Sequence, residues 1–353
     1  MMTVLSVAYP LAPVRPDTAG GAEQVLSTLD AAMAEAGERS IVIAPAGSKT
    51  EGTLVRIPPP GRLLDEQARR NSQAAAAGAI KEALGKWPID LVHMHGIDFD
   101  RYLPPEGVPV LVTLHLPPGW YGPEALAPKR PHTYLVCVSA FQRRSCPESV
   151  RGIGVIENGV PVGNYGREIP KKDFALILGR ICPEKGVHLG IEAACEAGIS
   201  LIIAGGLFPY PEHLEYFRRS VQPCLDGTRC RFLGPVGGTR KATLLGEARC
   251  LLVPSLAPET SSLAAMEAMA SGTPVVAFRS GALPEIVDEG RTGFLVADTK
   301  EMAEAVRRAD GLDREACRET ARRRFSAGRM TEEYFTLYRR IKRGELETEG
   351  GEA

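Results

Sequence analysis

Short apolar runs alternate with longer helical stretches along nearly the whole chain. In the first half, Thr3 to Ala8, Ile41 to Ala44, Leu91 to Met94, Val110 to Leu114 and Tyr134 to Val138 are brief apolar runs that predict strands. Between them, Ala22 to Glu35 has helical periodicity and Asn71 to Leu84 is alanine-rich, so both predict helices. A second series begins at Phe174, with strands expected at Ala175 to Leu178, Leu201 to Ala204, Cys230 to Leu233, Leu251 to Val253 and Pro274 to Phe278. Helices are expected at Gly186 to Glu196, around Pro211 to Val221, at Arg240 to Glu247 and from near Ser262, and the chain closes on Glu301 to Ala309, Asp313 to Arg324 and Thr331 to Arg343. Apolar runs separated by helices predict parallel strands covered on both faces, so each series reads as a doubly wound α/β domain.

The polar, Pro- and Gly-punctuated stretch Pro161 to Lys172 predicts a linker, with domains at residues 1–165 and 173–328 and an acidic, disordered tail from Gly344 to Ala353. Two such domains should face a cleft, the usual place for a two-substrate site. Within each, the loops at the carboxyl ends of the strands are where ligands bind.

The stretch Leu251 to Val296 carries the densest chemistry. Thr260, Ser261 and Ser262 are all good N-cap residues, and Gly272 with Pro274 stops the helix they open. Leu263, Ala264, Ala265, Met266, Ala268, Met269 and Ala270 make that helix apolar all round, with Glu267 its only charge. A buried lone carboxylate must be satisfied, either by a structural cation such as an arginine or by a ligand. Glu259 lies eight residues earlier in the feeding loop. A helix N-terminus rich in N–H and hydroxyl donors attracts phosphate, and carboxylates accept from sugar hydroxyls.

Other strand-end loops add candidates. Gly20 and Gly21 open a helix after a strand, where their amides could approach a phosphate or simply make a turn. His93 and His95 share one face of a strand, and His115 ends the next. With Asp98 or Asp100 the pair has zinc-ligand chemistry, but carboxylates are common in polar loops, and the expectation is no metal and a structural or acceptor-side role. In GRICPEKG, Arg180 and Lys185 stand five apart in a tight loop, so both cations could converge on one anion.

Composition narrows the partners. A net charge of -1 gives no reason to expect nucleic acid, and eight cysteines without metal-ligand spacing read as reduced core residues of a cytoplasmic protein. No segment approaches a spanning helix, which leaves at most peripheral contact with a membrane.

PSLAPETSSLAAMEAMASGTPVVAF, followed by PEIV and GRTGFLV, resembles retaining glycosyltransferases of family 4, whose signature is two glutamates separated by seven residues, as Glu259 and Glu267 are. GGAE, TLHLP, VSAFQRR (with Ser139 and Arg143), IENGVP, GRICPEKG, FLGPVGG and the closing FSAGRMTEEYFTLYRRI are similar to further segments of that family. The resemblance implies a GT-B fold, two Rossmann-like domains with the last helix crossing back to the N-terminal one. It also implies a nucleoside diphosphate sugar, UDP-linked, as substrate, with no cofactor and no metal. Arg180 and Lys185 would hold the diphosphate, Glu259 the donor sugar, and Glu267 the ribose. Val236 would read the base, Gly20, Gly21, Thr260, Ser261, Ser262 and Leu263 would line the donor, and His115 would stand near its reacting carbon. The alternatives are a sugar-nucleotide epimerase or phosphorylase on the same fold, or a nucleotide-sugar binding subunit without turnover.

Overall fold

The computed structural model describes residues 1–18, 20–61, 63–150 and 154–346. The chain divides into two compact units, residues 1–157 with the segment from Gly328 on, and Asn158–Ala327.

In the first unit the chain runs β1 (Thr3–Val7), α1 (Gly21–Glu35), β2 (Arg39–Pro45), β3 (Thr53–Ile57), α2 (Glu66–Lys86), β4 (Leu91–Met94), β5 (Val110–Leu114), α3 (Pro123–Leu126), β6 (Thr133–Cys137) and α4 (Ala140–Ser145). All its strands pair in parallel, in the order β3-β2-β1-β4-β5-β6. Leu5, Val7, Ile41 and Ile43 pack on one face with Ala76, Ile80 and Ala83 of α2, while Val42 and Ala44 pack on the other with Leu26 of α1. Burial on both faces explains why these strands read as unbroken apolar runs.

The second unit runs β7 (Phe174–Leu178), α5 (Val187–Ala197), β8 (Ser200–Ala204), α6 (Pro211–Tyr216), β9 (Cys230–Phe232), α7 (Gly238–Glu247), β10 (Cys250–Val253), α8 (Leu263–Ala270), β11 (Val275–Phe278), α9 (Leu283–Ile286), β12 (Gly293–Val296), α10 (Thr299–Arg308) and α11 (Arg314–Arg324). Its sheet order, β12-β11-β10-β7-β8-β9, is the first unit's order repeated, read from the other edge. The final helix, α12 (Ala327–Lys342), belongs almost wholly to the first unit. There Tyr334 and Tyr338 are buried, with their hydroxyls on Thr113 and His93. The returning helix is therefore part of the N-terminal core.

Three expectations shift. The stretch Pro161 to Lys172 is no free linker, and the first unit ends at Glu157, because Val160 and Tyr165 are buried in the second unit's core and Val160 exchanges backbone bonds with Phe325 and Ala327. Two strands went unread, β3 and β12. In β3 only Ile57 is buried, as befits an edge strand, so no apolar run marks it. β12 is four residues opened by Gly293, too short to stand out from its loop. The helix expected around Pro211 to Val221 is α only to Tyr216 and continues as a π-turn over Phe217–Val221. The expected disordered tail lies, from residue 347, outside the described residues. Among the described residues, no helix is long and apolar enough to cross a membrane.

Candidate active site

The two glutamates of the second unit are held alike. Glu259, in the loop after β10, receives Lys185 Nζ on Oε1 at 2.5 Å, and Ser255 donates to the same oxygen. Glu267, on α8, receives Lys241 Nζ on Oε1 at 2.6 Å and the Tyr165 hydroxyl at 2.8 Å. They differ in access, since the Lys185 side chain is 31% exposed and the Lys241 side chain 8%. Of the two alternatives for Glu267, a structural cation or a ligand, the fold supplies the cation on Oε1. A buried carboxylate needs a partner in the folded chain itself, and a lysine rather than an arginine supplies it.

The loops that carry Lys185 and Glu259 are tied together. Leu256 and Ala257 donate their backbone N–H groups to the Glu184 carbonyl at 2.9 and 3.2 Å. Gly205 (φ 153°) stands so close to Gly179 that a Cβ would overlap its carbonyl, which lets the β8 loop close against the turn before Arg180. Arg180 and Lys185 do not meet at one shared contact among the described residues. Lys185 goes to Glu259, whereas Arg180 lies near His213, and both cations act on the Cys182 thiol. Among the described residues, one set with metal-ligand chemistry gathers here, Cys182, Glu184 and His213.

At the N-terminus of α8, Ser262 is the cap, accepting from Ala265 N at 3.4 Å, and Thr260 is buried beside it. The Ser261 hydroxyl is buried with no hydrogen-bond partner among the described residues. A buried hydroxyl left unpaired is costly, by about 1–3 kcal/mol, so its position is one that a ligand oxygen would satisfy. Leu263 opens the helix, half-buried, and Val236 packs half-buried against the same core.

In the first unit, Gly20 caps α1 in extended conformation. A Cβ there would collide with the Glu23 carboxylate, so glycine at this position makes room for an acidic side chain folded back over the helix N-terminus. Gly21 is the first residue of α1 and exposed. His115 Nε2 meets His95 Nδ1 at 3.0 Å, and burial pushes His115 down to about 3, so it is neutral near pH 7. His95 and His93 are likewise lowered, by burial first and then by neighbouring histidines. His93 does not shape an acceptor surface. It is fully buried, with Nδ1 2.7 Å from the Tyr338 hydroxyl and Nε2 2.8 Å from Thr113 Oγ1. Asp98 accepts from Gln73 and Tyr102, which makes it a tether of its own loop. Ser139 caps α4 by accepting from Gln142 N at 3.1 Å, and Arg143 is exposed.

Three residues of the paired glutamates escape a reading by motif, Lys241, Tyr165 and Ser255. The need of Glu267 for a counter-charge was legible, and an aromatic in the polar stretch around Tyr165 was the available signal for its partner.

Two Rossmann-like units with one repeated strand order define a GT-B protein. Residues 19–163 match the family described as Glycosyltransferase Family 4, and residues 166–324 match Glycosyl transferases group 1. Each unit thus carries a glycosyltransferase domain, the first matching family 4 and the second group 1. D-inositol 3-phosphate glycosyltransferase of Mycolicibacterium paratuberculosis is 37% identical over 131 residues, 36% of this chain and 29% of that protein. The match thus spans under a third of the length of this curated relative. A solved glycosyltransferase involved in avilamycin A biosynthesis is 26% identical, with TM-score 0.71 over 98% of this chain and 99% of its own. A structure of an Anabaena protein in complex with UDP-glucose shares the fold at TM-score 0.72 and 18% identity, over 96% of this chain and 99% of its own.

Proposed function

We propose that the protein is a retaining glycosyltransferase that moves a sugar from a nucleoside diphosphate sugar, UDP-linked, to an acceptor hydroxyl without a metal ion. The observation that carries this reading is the second unit's strand-end cluster, in which Lys185 reaches Glu259 beside the capped helix α8, with the Ser261 hydroxyl before its cap unpaired among the described residues. The two domain matches and the UDP-glucose bound to the Anabaena neighbour support the donor class.

Departure of the diphosphate is the difficult event, because negative charge develops on the leaving oxygen. Lys185, Arg180 and the N-terminus of α8 at Thr260, Ser261, Ser262 and Leu263 oppose that charge; the helix end alone is equivalent to roughly half a positive charge. Lys185 exchanges part of its contact with Glu259 for phosphate oxygens. Glu259 then accepts donor-sugar hydroxyls on Oε2, and Glu267, with Oε1 occupied by Lys241 and Tyr165, accepts ribose hydroxyls on Oε2. Val236 meets the base through its backbone. Gly20, Gly21 and His115 are the first unit's candidates for donor contact, His115 as a neutral imidazole that hydrogen-bonds without adding charge. With no carboxylate assigned as nucleophile, retention follows from front-face attack within an ion pair.

The test is the initial rate of UDP release at saturating UDP-sugar in EDTA, repeated with added magnesium or manganese, with the product's anomeric configuration read by NMR. Turnover in EDTA and a retained configuration are expected. Loss of turnover rescued only by a divalent ion, or an inverted product, overturns the mechanism. Failure to turn over or bind any nucleoside diphosphate sugar overturns the function.

A further inference from the structure

Beside the Lys185–Glu259 pair, three side chains of metal-ligand type meet without any role in the donor site described above. Cys182 precedes the 3-10 turn Pro183–Lys185, Glu184 lies in that turn, and His213 projects from α6. One ligand atom from each lies within 4.8 Å of the others. Cys182 is fully buried and His213 is 6% exposed, while Glu184 is half-buried and leaves a side open. His213 Nδ1 is buried with no hydrogen-bond partner among the described residues. That orphan is a second pointer, independent of the cluster, because an unpaired buried ring nitrogen is destabilising unless something fills the place.

The chemistry of the set selects the ion. Thiolate and imidazole suit zinc and its neighbours, whereas magnesium and calcium take oxygen ligands. A tetrahedral zinc site needs sulfur at about 2.3 Å and nitrogen or oxygen at about 2.0–2.2 Å, which places ligand atoms roughly 3.3–3.7 Å apart. The three ligands reach that spacing by closing about 1 Å, a side-chain adjustment. Charge also balances locally: a thiolate and the Glu184 carboxylate offset a divalent ion, with Glu212 on the favourable side near His213 and Arg180 and Lys185 opposing.

We propose that Cys182, Glu184 and His213 form a binding site for one zinc-class divalent cation on the turn that carries Lys185. Binding replaces the Cys182 thiol proton by the ion, the sulfur–metal bond forming as the proton leaves to solvent. Three protein ligands leave a fourth position for water. The ion pins the turn, whose Glu184 carbonyl already anchors the loop of Glu259 through Leu256 and Ala257. It takes no part in the sugar transfer, so its presence is read by binding and stands or falls separately from that activity.

The experiment titrates the metal-stripped full chain with Co²⁺, then displaces it with Zn²⁺. One equivalent of Co²⁺ should bind with a thiolate-to-cobalt charge-transfer band, and Zn²⁺ should remove the band stoichiometrically. Cys182→Ser should abolish the band, and His213→Gln should weaken Zn²⁺ by more than the roughly 10–100-fold that loss of an outer partner causes. Replacing the two exposed cysteines, Cys195→Ser with Cys224→Ser, should leave the band intact. Absence of the band in the native chain, its survival in Cys182→Ser, or its loss with the exposed pair overturns the site. If Cys182→Ser does not fold, Glu184→Gln on its half-buried side chain decides: it should melt with the native chain yet bind Zn²⁺ at least about 10-fold more weakly, and unchanged affinity overturns the proposal.

Discussion

At the ends of β4 and β5 the first unit gathers His93, His95 and His115, all held neutral by burial. The second unit, built on the same strand order, gathers the ion pairs Lys185–Glu259 and Lys241–Glu267 after β7 and around α8. One scaffold thus carries two electrostatic solutions. His95 bonds His115 and His93 bonds Tyr338 and Thr113, while His95 Nε2 has no partner among the described residues; kept neutral, the rings avoid the desolvation penalty of charge. The second unit retains full charges by giving each carboxylate a lysine and a hydroxyl. Under the proposed function only an arrangement of that kind has charge to offer a diphosphate, and of the two lysines Lys185 is the more reachable.

The largest effect should come from breaking the inaccessible pair. Lys241→Ala leaves Glu267 buried without its cation, and urea unfolding should show a loss of about 3–5 kcal/mol. A loss under about 1 kcal/mol would mean that Glu267 is wetter than its 3% exposure implies. Next, Lys185→Ala should lower turnover by about 100-fold or more, the scale for losing one stabiliser of developing charge. Its unfolding midpoint should fall less than that of Lys241→Ala, because the Lys185 side chain is 31% exposed, against 8% for Lys241, and water can reach the place it leaves beside Glu259. If the two lysine variants swapped phenotypes, the division between structural and functional pair would be reversed.

The neutral side of the comparison is sharpened by Tyr338→Phe, which strands His93 Nδ1 and should reduce stability by about 1–3 kcal/mol with the transferase rate at saturating substrates unchanged. The smallest effect concerns pH. The folded value of His115, about 3, lies below the ordinary value of 6.5, so its share of stability is complete well above pH 6.5 and drains away as pH falls toward 3. Comparing urea midpoints at pH 6.5 and 5.5, His115→Gln should lose about 1 kcal/mol less than the native chain. Equal losses in both would show that His115 takes up its proton in the folded state too.

The legible parts of this chain were those with a local physical signature. Fully buried strands such as Leu91–Met94 and Val110–Leu114 read at their observed bounds, because burial on both faces writes an unbroken apolar run. The cap of α8 read because Ser262 serves a backbone donor three residues away. Edge strand β3 did not, since a strand with one buried residue has no such run. Gly20 read as a possible phosphate turn, and only the folded chain shows Glu23 occupying the space beside it.

Sequence by itself determined the alternation that makes two parallel α/β units, the spacing of Glu259 and Glu267, and the requirement that a carboxylate on an apolar helix find a partner. Which partner it finds was decided by tertiary structure. Tyr165 lies 102 residues from Glu267 and Lys241 lies 26 away, and they meet on one oxygen only because β-strand order and helix packing bring α7, α8 and the segment of Tyr165 together. The same holds for His93, whose ring nitrogen is met by Tyr338 at a separation of 245 residues. Local sequence sets what each short segment can form and what each side chain needs, since those depend on near neighbours. Pairing across such distances depends on which surfaces the whole chain buries together.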